Sequence, residues 1–105
     1  MKTLLAILLT VFCLASVSAT ANDQILKKAY DNRQSDLQVK GSGTVIRLLP
    51  DDNDGSRHQK FILKLKSSQT LLVAHNIDLA PRIPNLRVGD RVQFYGEYEW
   101  KKKVE

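Results

Sequence analysis

From Leu37 onward the apolar residues recur at every second position within each of four segments, and that period dictates strands rather than helices. Leu37, Val39, Gly41, Gly43 and Val45 share one face of a first strand. At Ile46 the phase flips, and Ile46 and Leu48 take over the apolar face. A flip after two glycines predicts a long strand that bends or carries a bulge. Pro50-Asp51-Asp52-Asn53-Asp54-Gly55 reads as a turn. In Lys60–Lys66, Phe61, Leu63 and Leu65 point one way, and Lys60, Lys64 and Lys66 the other, with Ile62 among them. That is a half-buried antiparallel strand. Ser67-Ser68-Gln69 is a hairpin loop, and Thr70–Asn76 a third strand with Leu71, Val73 and His75 on one side and Leu72 and Ala74 on the other. Apolar residues on both faces predict a central position for it. Pro81 and Pro84 exclude a long helix from the connector that follows. Gly89-Asp90 then turns into a fourth strand, where Val92, Phe94, Gly96, Tyr98 and Trp100 alternate with Arg91, Gln93, Tyr95, Glu97 and Glu99.

The segment ahead of the strands has a different period. Ile25, Leu26, Ala29 and Tyr30 form one helical stripe, and Asn22 or Asp23 can cap it. A helix is expected over 22–36, plugging one end of a barrel or lying on its side.

Earlier still, Lys2 precedes the uncharged run Thr3–Ala15 and the small residues Ser16–Ala21. Charge, apolar stretch and small-residue site, in that order, make a cleavable signal peptide. Ala19-Thr20-Ala21 predicts cleavage before Asn22, and Val17-Ser18-Ala19 offers a second position, before Thr20. A spanning helix needs roughly 20 apolar residues, more than this run supplies. Phe12 stands where a lipoprotein signal places a small residue before its cysteine, which argues against lipidation at Cys13. The expected division is therefore signal peptide 1–21, helix 22–36 and β domain 37–105. The expected location is the periplasm or the medium, with no stable membrane anchor after cleavage.

Cleavage would remove Cys13, the only cysteine. The exported domain then has no disulfide, no Cys nucleophile and no thiolate ligand. The chain carries 16 Lys+Arg against 11 Asp+Glu. That surplus permits an anionic partner without requiring one.

A first strand bent at glycines, a hairpin, a connector and a Gly-Asp turn into a last amphipathic strand follow the pattern of the OB-fold, a five-stranded Greek-key barrel. Four strands are visible. Lys101-Lys102-Lys103-Val104-Glu105 offers little for a fifth. The fold expected is mainly β: an OB-like five-strand Greek-key barrel lacking most of its last strand, with a short N-terminal helix.

Gly41-Ser42-Gly43-Thr44-Val45, Leu49–Gly55, His58-Gln59-x-Phe61, Leu71–Ile83 with its Ala-His-Asn-Ile-Asp-Leu-Ala-Pro-Arg-Ile string, and Gly89-Asp90…Tyr95–Trp100 together resemble an exported bacterial family, domain of unknown function 3465. The likeness covers Val39–Trp100. It implies an OB-like domain behind a signal peptide and carries over no catalytic role. Members of that family continue past the Glu-Trp with a Gly-containing turn and a segment rich in Trp, His and Asp. Lys101–Glu105 departs from that pattern, and the expectation is a frameshifted or truncated end.

Several residues carry candidate chemistry. Aligning Gly55 with position 6 of a calcium loop puts Pro50 at position 1 and Phe61 at position 12, so the calcium motif fails. His58, His75 and Asp78 could begin a divalent-metal site if the second and third strands bring the two histidines together. An interior, hydrogen-bonded His75 is the plainer alternative, and no cofactor is expected. Asp51, Asp54, Arg57 and Arg82 could serve a nuclease-like hydrolase, although ordinary surface charge explains all four. Lys60, Lys64 and Lys66 form a basic row, but single strands of nucleic acid also need stacking aromatics, and only Tyr95 lies on a polar strand face. Export makes nucleic acid an unlikely partner. The leading expectation is a binding or interaction module for an envelope ligand or protein, with His58, His75, Asn76, Asp78 and Arg82 as its candidate residues. A metal-dependent hydrolase is the alternative.

Overall fold

The computed structural model describes residues 19–101. It is mainly β, with one helix and four strands: α1 (Ala19–Asp31), β1 (Leu37–Asp52), β2 (His58–Lys64), β3 (Thr70–Asn76) and β4 (Arg91–Tyr98). The strands form one antiparallel sheet in the order β3-β2-β1-β4. Among the described residues there are four strands in an open sheet; a fifth, as the barrel expectation requires, is not found. β3, expected to be central, lies at one edge. The expected signal peptide lies outside the described residues except for Ala19–Ala21, which form the start of α1.

β1 is the organising strand. Its first half, Leu37–Thr44, pairs with β4, and its second half, Thr44–Asp52, pairs with β2. The register shifts between Val45 and Arg47, so the phase flip at Ile46 is a bulge. A second irregularity between Leu49 and Asp52 accommodates Pro50, which cannot donate to a ladder. The Gly-Asp turn is equally specific. Asp90 N–H donates to Arg87 C=O at 3.1 Å. Gly89 has φ +100°, the left-handed position of a type II turn. Gly89 N–H donates to Val45 C=O and Val45 N–H to Asp90 C=O, so two residues face one in a glycine bulge that starts β4.

The alternation inferred for the core face holds for most of its length. Val45, Phe61 and Leu63 are fully buried, with Val73, Val92, Phe94 and Tyr98 packed around them. Ile46 and Leu48, expected in the core, are 43% and 46% exposed. Ile46 is the bulged residue. Leu48 pairs with Phe61 on the core face, but β4 pairing has ended at Val45, so nothing covers its flank.

α1 closes the end of the sheet that holds the start of β1 and the end of β4. Leu26 and Ala29 are fully buried, whereas Ile25 and Tyr30, expected in the same stripe, are 48% and 44% exposed. The helix ends at Asp31, short of the expected 36, because Arg33 takes φ 55° and closes a Schellman cap. Gln34 N–H donates to Ala29 C=O and Arg33 N–H to Tyr30 C=O. Asp23 does not cap its own helix; its carboxylate accepts Ser67 N–H, in the β2–β3 loop, at 3.1 Å. Past β4, Trp100 N–H donates to Ser35 Oγ and its ring packs 6.3 Å from that of Tyr30, with the Arg33 guanidinium 5.1 Å above it.

The two strand glycines are sites of close approach. A Cβ at Gly43 would lie 3.0 Å from the Lys64 carbonyl oxygen and 3.2 Å from Leu63 Cβ. At Gly41 the nearest atom is the tip of the Phe94 ring, at 3.0 Å. Gly43→Ala is expected to cost about 1–3 kcal/mol through overpacking against backbone, and more than Gly41→Ala, whose neighbour is a side-chain end. Urea unfolding of both variants measures the order.

Candidate functional site

The end of the sheet opposite α1 gathers most of the chemistry-bearing residues. It is built from 53–57, between β1 and β2, and from the connector 77–90, between β3 and β4.

Register decides what the two histidines do. His58 pairs with Asn76, and Gln59 pairs with His75. Side chains alternate along a strand, so His58 and Asn76 share the outer face while Gln59 and His75 share the core face. The two histidines are neighbours in the sheet and emerge on opposite sides of it. The arrangement does not bring His58, His75 and Asp78 together as a ligand set.

His75 is only 5% exposed, and its Nε2–H donates to Pro81 C=O at 2.7 Å. Gln59 is 7% exposed and makes two bonds to one residue: Nε2–H to Ile83 C=O at 3.1 Å, and Oε1 from Ile83 N–H at 2.9 Å. The buried amide thus replaces a strand partner for the connector. His58, on the other face, donates Nδ1–H to Ser56 C=O at 3.0 Å.

The charged residues are engaged with one another. Asp78 accepts both Arg57 N–H and Arg57 Nε–H at 2.8 Å. These bonds hold its carboxyl below the ordinary aspartate value. Asn76 Oδ1 accepts Asp78 N–H, which fixes the turn, and Ile77 N–H donates to Arg57 C=O. Arg82 pairs with Asp51. Of the four residues set out for a hydrolase, Arg57 and Arg82 are therefore paired with carboxylates, and Asp54 N–H donates to Asp52 Oδ1 in its own turn.

The family described as Protein of unknown function (DUF3465) matches residues 7–105. The chain belongs to this family. No curated protein and no solved structure matches the chain. The string that carries the DUF3465 likeness has a clear local role here. In Ala74–Ile83, His75 holds Pro81, Asn76 holds Asp78, Asp78 holds Arg57, Arg82 holds Asp51, and Ile83 is held by Gln59. The polar members of the string fasten the connector to the sheet.

Gln59 is not among the candidates that the sequence pattern offers, although it stands in phase with Phe61, Leu63 and Leu65, and a polar residue on an apolar phase is the signal that marks it. The one group of three or more possible ligands among the described residues is Asp36, Glu97 and Glu99, near the end of β4. Hydrogen bonding with Asp36 and then with Glu99 raises the Glu97 carboxyl above its ordinary value.

The outer face of β1, β2 and β3 is different in character. Three rows cross it: Arg47–Ile62–Leu72, Leu49–Lys60–Ala74 and Thr44–Lys64–Thr70. Ile62, Leu72, Leu49 and Lys60 are half-buried, and Arg47 and Lys64 are exposed. The result is a shallow apolar strip flanked by cations, ending at His58 and Asn76.

Gln59→Leu removes both partners of Ile83 and is expected to cost roughly 2–4 kcal/mol, with faster amide exchange at Ile83 than at Val73. A depressed Asp78 value means the folded state favours the carboxylate, so that stability is present above the ordinary aspartate range and lost as pH falls below about 4. Asp78→Asn is expected to flatten that acid limb in denaturant titrations from pH 7 to pH 3.

Proposed function

We propose that this protein is an exported binding module, and that the outer face of β1–β2–β3 takes an anionic envelope ligand such as an acidic glycan. The observation that carries this reading is the strip just described, where Arg47, Lys60 and Lys64 surround Ile62 and Leu72. Cations attract and orient an anion, and the half-buried aliphatic groups give it surface to desolvate against. No Phe, Tyr or Trp stands on these three strands' outer face, which disfavours a stacked single strand of nucleic acid.

The sheet order supports an OB-like fold for the module. β3-β2-β1-β4 is the order of that barrel with the place between β3 and β4 left open, and its β2–β3 face is where such barrels bind oligomers. Export rests on the layout of residues 1–21. Among the described residues, no helix is long and apolar enough to cross a membrane. The hydrolase alternative draws less support, because Arg57 and Arg82 are spent on Asp78 and Asp51 and the histidines face apart.

The test is retention on an immobilised sulfated glycan. Wild type is expected to elute earlier as salt rises. Arg47/Lys60/Lys64→Ala should bind about tenfold more weakly, from three surface ion pairs of roughly 0.5 kcal/mol each. Unchanged retention would reduce the basic row to a solvated face. N-terminal sequencing of the exported protein is expected to begin at Asn22; an intact Met1 would overturn the export reading.

A further inference from the structure

The cationic face does not end at β1. Thr44 pairs with Lys64 of β2 on one side and with Arg91 of β4 on the other, so one row, Arg91–Thr44–Lys64–Thr70, crosses all four strands. Arg91 and Lys64 are exposed and stand roughly 10 Å apart across Thr44, two strand spacings. Two further rows continue the same face over β1 and β4: Ser42–Gln93, then Lys40–Tyr95. Arg91 donates from one Nη to Ser42 Oγ at 3.0 Å and keeps its other donors. Among the described residues no ion pair involves Arg91 or Lys40.

Tyr95 is 57% exposed on this face. Val45 exchanges hydrogen bonds with Gly89 and Asp90, so by antiparallel alternation Lys40 and Tyr95 form a non-hydrogen-bonded pair, the kind whose side chains stand closer. The ring contacts among the described residues gather at Trp100, with Tyr30 and Arg33, and none involves Tyr95. A phenol ring offers an apolar face and a hydroxyl at its tip. A sugar ring offers the complement, a C–H face with hydroxyls around it.

We infer, resting on the acidic-glycan reading, that the ligand is a linear acidic oligosaccharide that continues from β2 over β1 onto β4, with Tyr95 stacking on a sugar ring and Lys40 and Arg91 meeting acidic groups. Lys60 to Lys64 is four residues and Thr44 to Lys40 another four, so at about 3.4 Å per residue the path runs roughly 27 Å along the strands. A single sugar cannot touch both ends. A chain of several can, and its second contact is intramolecular. Charge complementarity favours repeated anions, because cations recur along the path at Lys60, Lys64–Arg91 and Lys40, separated by Ile62 and by the neutral Ser42–Gln93 row. A single strand of nucleic acid stacks successive bases on several aromatics, and one ring serves it poorly.

Calorimetry with a sulfated disaccharide and a sulfated decasaccharide tests this. Wild type is expected to bind the decasaccharide at least about tenfold more tightly. Tyr95→Ala should weaken decasaccharide binding about fivefold, and Lys40→Ala about twofold, with the disaccharide less affected by either. Both side chains are exposed, so neither change opens the core. Tyr95→Trp keeps a ring and should keep the affinity; equal losses in Tyr95→Ala and Tyr95→Trp would overturn the stacking contact. In wild-type NMR spectra the Tyr95 ring signals should shift on adding the decasaccharide. If Arg47/Lys60/Lys64→Ala weakens binding while Tyr95→Ala and Lys40→Ala do not, the extension onto β4 is overturned and the acidic-glycan reading stands. A wild type that binds neither oligosaccharide overturns both. Single-stranded DNA of equal charge that binds more tightly than the decasaccharide would overturn the choice of a glycan.

Discussion

β1 must serve two partners along a single strand, and the rest of the structure depends on how it does so. A regular strand offers both of its edges along its whole length. Here the first half gives its ladder to β4, and the second half takes β2 and loses β4. The handover happens at Thr44–Arg47, where the bulge at Ile46 changes which side chains face the core. Gly41 and Gly43 make the approach possible, because the Phe94 ring and the Lys64 carbonyl lie where a Cβ would reach. The Gly89-Asp90 bulge starts β4 opposite Val45, at the same handover. A strand that turns in this way bends the sheet around Val45, Phe61 and Leu63, which is why so short a chain can bury them completely.

The two ends of that curved sheet are closed by different physics. At one end α1 contributes apolar burial through Leu26 and Ala29, with Asp23 and Gln69 tying the helix to the β2–β3 loop. At the other end the connector contains two prolines and forms no helix, so its own backbone bonds are confined to its turns, at Asn76–Ala80 and Arg87–Asp90. Side chains hold the stretch between those turns. Gln59 and His75 reach from the core face to Ile83 and Pro81, and these bonds are partly buried, with the Gln59 and His75 side chains on the buried side. A buried backbone group left without a partner costs about 1–3 kcal/mol, whereas an exposed ion pair such as Arg57–Asp78 contributes roughly 0.2–1 kcal/mol. The uncharged clamps therefore hold the connector more strongly than the conspicuous charges around them.

That difference explains what could be read in the sequence. Strand periods, the bulge and the β4 face follow from alternation, which is local. β3 ends at Asn76, where the residue pattern placed it. The site was harder, because pairing a histidine with a histidine needs the register between strands, and an offset of one residue sends His58 and His75 to opposite faces. The end of the helix is hidden for a similar reason: Arg33 takes a left-handed backbone that glycine usually marks, and nothing in its identity announces the cap. Ile25 and Tyr30 suit a helix stripe by spacing, yet only Leu26 and Ala29 meet the sheet. The family resemblance found the right string and left its role open; hydrogen-bond partners supply that role.

If the polar residues of the connector are spent on architecture, recognition has to come from surfaces where charge is not internally matched. The outer face of β1–β2–β3 is such a surface, because it presents Arg47, Lys60 and Lys64 without carboxylates in its crossing rows. A face of one sign suits a ligand of the opposite sign. The half-buried Ile62 and Leu72 lie between those cations, so an anion drawn to the face also meets apolar surface there. Charge then sets the class of the proposed ligand, and the aliphatic groups set how closely it can lie against the sheet.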